Sequence, residues 1–181
     1  STDDIVRRFM ENDSRIKLII NKERLGISKS LNVAIEASKG KYIVRMDADD
    51  ISLPNRLQEQ VNYMDANPDI GISGCDFQVQ GEQWESNLLY DENDIKADLL
   101  FFVPLRHPTI IMRKELLDKN NIRYSEIFEA AEDYDLFVRS RNCFRITNLS
   151  KKLLIYRRHE NATVYRMLEV GAEVNRELGK I

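Results

Sequence analysis

Two short acidic segments carry the side chains in this sequence best suited to chemistry. Asp47-Ala48-Asp49-Asp50 follows directly on an apolar run, Tyr42-Ile43-Val44-Arg45-Met46. Three carboxylates within four residues repel one another unless something positive sits among them. A hard divalent cation, Mg2+ or Mn2+, relieves that repulsion and also binds phosphate oxygens. The same residues serve equally well as a solvated loop that caps the next helix. An EF-hand loop is excluded, because Ile51 falls at the third ligand position and no glycine occupies the sharp turn. A phosphotransferase with an aspartate nucleophile stays open, since it too uses a strand-terminal Asp-x-Asp with Mg2+.

The second segment is Ala131-Glu132-Asp133-Tyr134-Asp135-Leu136. It reads as the start of a helix, on which Glu132 and Asp135 share a face and Asp133 points elsewhere. A carboxylate held at a defined angle there can act as general base on a substrate hydroxyl. Acids in a first turn are also ordinary helix chemistry, because they complement the helix dipole. Two histidines complete the set. His107 sits in Arg106-His107-Pro108-Thr109, before a predicted strand, and His159 in Tyr156-Arg157-Arg158-His159, after one. A lone loop histidine is ordinarily a surface residue. A neutral His159 imidazole can also complete the coordination of a metal held by Asp47 and Asp49. Arg157 and Arg158 suit phosphate, or are plain strand-end cations.

The elements that must position these groups follow from periodicity. Ser1-Thr2-Asp3-Asp4 caps an amphipathic helix, and Ile16–Ile20 is a short apolar run of strand type. Ile27, Leu31, Ala34 and Ile35 recur at helical spacing up to Gly40. Tyr42–Met46 is a second strand. Pro54 opens a third helix with Leu57, Val61 and Met64 on one face. Ile70–Gly74 is a third strand. The first half thus reads αβαβαβ, the pattern of a mostly parallel sheet covered by helices, with ligands expected beyond the carboxyl ends of its strands. The second half predicts a loose hairpin over 77–90, a helix over 94–102, a strand over 109–112 and helices over 114–119 and 132–141. Two strands, 144–149 and 152–157, and a terminal helix over 163–178 follow.

Composition narrows the partners. The chain has 181 residues, with 27 Lys and Arg against 30 Asp and Glu, a formal charge of −3. Such a chain has no global field to gather nucleic acid or anionic lipid, so no nucleic-acid partner is expected. Two cysteines, Cys75 and Cys143, make no disulfide scaffold and match no metal spacing, and a cytoplasmic setting is the default. No apolar run reaches the length of a membrane span.

Taken together, four segments resemble the family 2 glycosyltransferases with the GT-A fold. They are Asn21–Asn32; Gly40–Asp50, similar to the family's "GxYIxxLDxDD" block; His107-Pro108-Thr109 with Arg113; and Ala131–Leu136, followed by Tyr156-Arg157-x-His159 and Thr163. Each is short, and their order and spacing carry the likeness. The resemblance implies an α/β, GT-A-like, mostly parallel sheet flanked by helices, as a single domain over residues 1–181. It implies an inverting transfer of sugar from a nucleotide-diphosphate donor, UDP-linked by family default, to a hydroxyl. The acceptor would be a saccharide or a lipid-linked glycan of bacterial surface polysaccharide.

The resemblance also assigns roles. Asp47 and Asp49 would hold Mn2+ or Mg2+ and the donor diphosphate, with His159 as a further metal ligand. Asp133 would be the base, supported by Glu132, Asp50 and Asp135. Arg24, Asn32 and Arg157 would lie along the donor. The setting would be cytoplasmic or peripheral to the inner face of the membrane. The family's usual opening strand, helix and strand have no counterpart before Ser1, so the chain is expected to start inside the domain. The usual glycine pair before the Glu-Asp motif is replaced by Asn121–Ser125. A GT-A-like binding module without turnover is the remaining alternative.

Overall fold

The computed structural model describes residues 1–82, 86, 88–128 and 131–158. The chain divides into two compact units, Ser1–Ser38 and a second that begins at Lys39.

In the first unit, α1 (Thr2–Asn12) starts at a capping box: the Ser1 side chain accepts from the Asp4 N–H, and the Asp4 carboxylate reaches back to the Ser1 backbone. α2 (Gly26–Ala37) buries Ile35. Gly26 opens it at φ 77, a left-handed conformation that favours glycine. Between them the predicted strand Ile16–Ile20 does not form, and Ile19 and Ile20 are exposed. An apolar run reports a tendency to be covered. A strand also needs a hydrogen-bonded neighbour, and among the described residues none lies beside it.

The second unit is built on a five-stranded sheet. Its strands are β1 (Tyr42–Val44), β2 (Ile51–Ser52), β3 (Ile70–Val79), β4 (Ile111–Arg113) and β5 (Arg145–Tyr156), in the order β1-β4-β3-β5-β2. The expected mostly parallel sheet is mixed instead. β3 and β5 run parallel, whereas β1–β4, β3–β4 and β2–β5 are antiparallel. The αβ alternation of the first half gave no sign of β4, which is inserted between β1 and β3 from the second half and runs against both. β2 is a two-residue bridge too short to show a period. The two strands predicted after Phe144 are one, β5, whose register against β3 shifts between Cys75–Leu149 and Asp76–Lys152.

α3 (Arg56–Ala66) covers this sheet with an unexpected face. Arg56, Gln60 and Met64 are buried, while Leu57 is 57% exposed. Polar side chains win those core positions because carbonyls beneath the helix need donors. Arg56 gives Nη2 to the carbonyls of Arg45 (2.8 Å) and Pro108 (2.9 Å), and Nε to Gln60 (3.0 Å). Gln60 passes its own amide to the Thr109 carbonyl at 2.7 Å. Met64 packs with Ile70 and Ile111, against Tyr42 and Val44. Arg113, part of the segment singled out beside His107, closes the other end of α3. It donates to the carbonyls of Met64, Asn67 and Ile70, where a cation suits a helix C-terminus.

Gly71 fixes the approach of β3 to Phe144. A Cβ there would stand 2.1 Å from Phe144 Cδ2 and 2.4 Å from Cγ. The clash reaches Cγ, at the base of the Phe144 ring, so it is not relieved by shifting the far end of a flexible side chain. Gly71→Ala is expected to destabilise by about 1–3 kcal/mol, the usual cost of overpacking, read as a lower urea midpoint at unchanged slope.

Candidate active site

The acidic turn hangs between β1 and β2. β1 is paired to β4, and the pairing continues through the Arg45 N–H, which donates to Ile110 O at 3.1 Å. β2 is held on β5 through Ile51–Ile155 and Ser52–Leu154. With both ends anchored, the Asp50 N–H closes a turn onto Asp47 O. Asp47, Asp49 and Asp50 each offer a carboxylate oxygen, all within 4.8 Å of one another. Asp50 is only 6% exposed. Its Oδ1 accepts from the Arg157 main-chain N–H at 3.0 Å, whereas its Oδ2 is buried without a hydrogen-bond partner. Burial, with Asp47 and Asp49 adding repulsion, raises its pKa. A buried carboxylate oxygen left without a donor, among all-oxygen ligands of like charge, fits a hard divalent cation.

Arg157 therefore touches this turn through its backbone, and its side chain is exposed. Tyr156 and Arg157 reach the turn because β5 runs beside β2, whereas Arg158 donates to the Glu82 carboxylate. His159, and the helix expected over 163–178, lie outside the described residues. Arg24 is exposed and Asn32 half-buried within the first unit, where Asn21 Nδ2 donates to Ser30 Oγ at 2.9 Å.

After α4 (Glu92–Asp98) and α5 (Lys114–Lys119), the second acidic segment opens α6 (Glu132–Ser140) as expected. Its three acids have separate environments. Asp135 is spent on Arg139, whose Nη2 in turn donates to the Arg123 carbonyl. Asp133 accepts from the Tyr134 N–H at 2.7 Å. Burial raises the Asp133 pKa, against the opposing pull of that hydrogen bond and of Arg45 and Arg106. Glu132 is 8% exposed, and burial raises its pKa too. The Tyr134 hydroxyl donates to Leu99 O (3.0 Å), tying this first turn to the loop after α4.

A buried histidine joins the segments. His107 begins a short 3-10 turn, His107–Thr109, leading into β4. It is 8% exposed, not a surface residue as a lone loop histidine would be. Its Nε2 lies 2.8 Å from Tyr124 Oη, and its Nδ1 3.9 Å from Glu132 Oε1. Burial, with the Arg45 charge, pushes its pKa down to about 3, so the ring is neutral at ordinary pH. The unfolded chain binds a proton at this histidine below about pH 6.5 and the folded chain does not. His107 therefore withdraws stability as pH falls from about 6.5 towards 3. Glu132 acts in the opposite sense, keeping in the fold a proton that the unfolded chain releases as pH rises past its ordinary value. The stability advantage of the parent over His107→Asn is expected to shrink by up to about 1.4 kcal/mol per pH unit on acidification below 6.5. Chemical denaturation at pH 7 and pH 5 measures it.

Arg45 is the residue that sequence reasoning missed. It is 13% exposed, with Nη1 2.7 Å from Asp47 Oδ2 and Nη2 2.6 Å from Asp47 Oδ1. Its charge is felt at Asp50, His107, Glu132 and Asp133, so it stands between the two acidic segments. Asp47 is likewise felt at Glu132. The available signal was a cation two residues before Asp47, in a run otherwise apolar.

An aspartate turn at a strand end and the acids at the start of α6 thus share the charge of one guanidinium, Arg45. The sequence pattern of Glycosyl transferase family 2 matches residues 1–136. The chain belongs to that family. The O-antigen biosynthesis glycosyltransferase WbnJ of Escherichia coli is 37% identical over 164 residues, covering 87% of this chain and 63% of its own. The fold is similar to that of S. aureus TarS 1-349 in complex with UDP-GlcNAc, with TM-score 0.67 and 20% identity over 90% of this chain and 48% of that one. It is also similar to the mannosyltransferase PcManGT from Pyrobaculum calidifontis in complex with GDP-Man and Mn2+, with TM-score 0.61 and 20% identity over 86% and 44%. These likenesses show a GT-A-like α/β fold, a mixed sheet flanked by helices. The chain spans about half the length of the curated relatives it matches. Among the described residues of this family 2 chain, no helix is long and apolar enough to cross a membrane.

Proposed function

We propose that this family 2 chain carries the catalytic centre of an inverting glycosyltransferase. It takes a sugar from a nucleotide-diphosphate donor, UDP-linked, and passes it to an acceptor hydroxyl of a saccharide or lipid-linked glycan in surface polysaccharide synthesis. It works in the cytoplasm or at the inner face of the membrane, and both compact units belong to one catalytic domain. The observation that carries this reading is the pairing of two unlike carboxylate sites. One is a tight aspartate cluster with an unpartnered buried oxygen. The other is a helix-borne carboxylate with a raised pKa, within the electrostatic reach of the same Arg45. The relatives named for O-antigen and amylovoran biosynthesis point the same way, as do neighbours that bind UDP-GlcNAc or GDP-Man.

Asp47, Asp49 and Asp50 would hold Mn2+ or Mg2+, with His159 as a further ligand. The bound ion would offset charge on the diphosphate leaving group as a Lewis acid. Arg24, Asn32 and Arg157 would line the nucleotide. Asp133 accepts the proton of the acceptor hydroxyl as its oxygen attacks the anomeric carbon from the face opposite the diphosphate. Glu132, whose pKa burial likewise raises, stands beside neutral His107, its Oε1 3.9 Å from the ring Nδ1.

Incubation with UDP-sugars and Mn2+ should release UDP and give a product of inverted anomeric configuration by NMR. Retained configuration would refute the single displacement. A base-labile phosphoenzyme would favour the aspartate-nucleophile phosphotransferase, in which Asp47 is the covalent partner and Asp133 is dispensable. No turnover with any donor would favour a binding module.

A further inference from the structure

Asp47 already has a cation. Both of its carboxylate oxygens are engaged by Arg45, in the bidentate geometry that a guanidinium makes best. The neighbouring Asp50 Oδ2 is buried and has no hydrogen-bond partner. A divalent ion that binds this turn must compete with Arg45 for the lone pairs of Asp47. A guanidinium does not give way by losing its proton. It gives way by moving. The Arg45 backbone is pinned on both sides, its N–H on Ile110 O (3.1 Å) and its carbonyl under the buried Arg56 (2.8 Å). Only the side chain can turn, so the displaced charge stays between the aspartate turn and the start of α6. Among the anions it can then pair with is one that arrives together with the metal.

We propose that Arg45 is a resident counter-cation of Asp47, exchanged for the metal ion and handed on to a phosphate oxygen of the incoming diphosphate. The second half rests on the nucleotide-sugar reading, and the first does not. Before metal arrives the ion pair offsets the charge of Asp47, one of the three carboxylates of the turn. It also makes metal binding weak in the absence of a diphosphate and strong in its presence, so the two bind as one unit.

The test compares the parent chain with Arg45→Gln and Arg45→Lys, using two probes. Mn2+ alone is titrated by electron paramagnetic resonance. Inorganic pyrophosphate is titrated calorimetrically at saturating Mn2+. For Arg45→Gln, Mn2+ alone should bind on the order of ten-fold tighter, the scale of removing one like charge a few ångströms away. Pyrophosphate should bind on the order of ten-fold weaker, as a charge-assisted contact is lost. Arg45→Lys should fall between parent and Arg45→Gln in both titrations. A residue that merely supported the turn would weaken both when removed, so the opposite signs are the signature. Unchanged or weaker Mn2+ binding by Arg45→Gln overturns the exchange. Unchanged or tighter pyrophosphate binding overturns the hand-over. A parent that gives both expected results and yet binds no UDP refutes the nucleotide-sugar reading and leaves Arg45 in its proposed role.

Discussion

Asp133→Asn is expected to lower sugar transfer by about 10²–10⁴-fold, the usual contribution of a positioned general base, and to leave Mn2+-dependent UDP binding near the parent value. The amide keeps the shape of the side chain and can still accept from the Tyr134 N–H, so α6 keeps its start. It cannot take a proton from an acceptor hydroxyl. The same burial that raises the Asp133 pKa makes a second, independent expectation. The base must be ionised to work. The acid limb of kcat/KM should therefore fall at a pH above the ordinary aspartate value of about 4. A variant that transfers sugar at the parent rate would remove Asp133 from the mechanism. An acid limb at or below the ordinary aspartate value would contradict its burial in the working enzyme.

Arg56→Met should cost about 2–4 kcal/mol of stability, because it leaves the carbonyls of Arg45 and Pro108 and the side chain of Gln60 without their donor. Methionine fills much of the volume, so the loss is polar rather than a cavity. Two opposing effects decide the size. Burial lowers the Arg56 pKa, and Nη1 has no hydrogen-bond partner, so the parent already bears a desolvation penalty that methionine relieves. Several acceptors left unsatisfied at about 1–3 kcal/mol each outweigh that relief. Arg56→Lys should recover only part of the loss, since an ammonium cannot reproduce the planar fork that spans both carbonyls. Urea denaturation reads the stability. In the folded fraction, Mn2+ should bind more weakly, because Arg56 fixes the backbone from which the aspartate turn begins. Stability equal to the parent in Arg56→Met would show that the two carbonyls find other donors.

What could be read in the sequence follows from how local each signal is. The periods of α1, α2 and α6 lie within a few residues, and the cap at Ser1 and the acids from Glu132 announce the first and the last of them. The aspartate turn and the Glu-Asp pair were visible for the same reason. Sheet direction was not. β4 reaches its place between β1 and β3 by tertiary pairing, and three residues of strand carry no mark of which way they run. The core face of α3 was misjudged at Leu57 and Arg56, because hydrophobic periodicity cannot see carbonyls on Arg45, Pro108 and Thr109 that demand donors. His107 reads as a loop residue, and its burial depends on Tyr124 and Glu132, brought in from elsewhere in the chain. Arg45 carries no local mark of its role, since a single cation in an apolar strand reads as a surface residue until the turn folds Asp47 back onto it.

The most direct measurement is a calorimetric titration of UDP into the protein with and without Mn2+, repeated on Asp49→Ala. Binding that requires Mn2+ and disappears in the variant is the predicted result. UDP binding that ignores Mn2+ and survives Asp49→Ala, or no binding at all by the folded parent, would contradict the assignment of the aspartate turn to a metal and a nucleotide diphosphate.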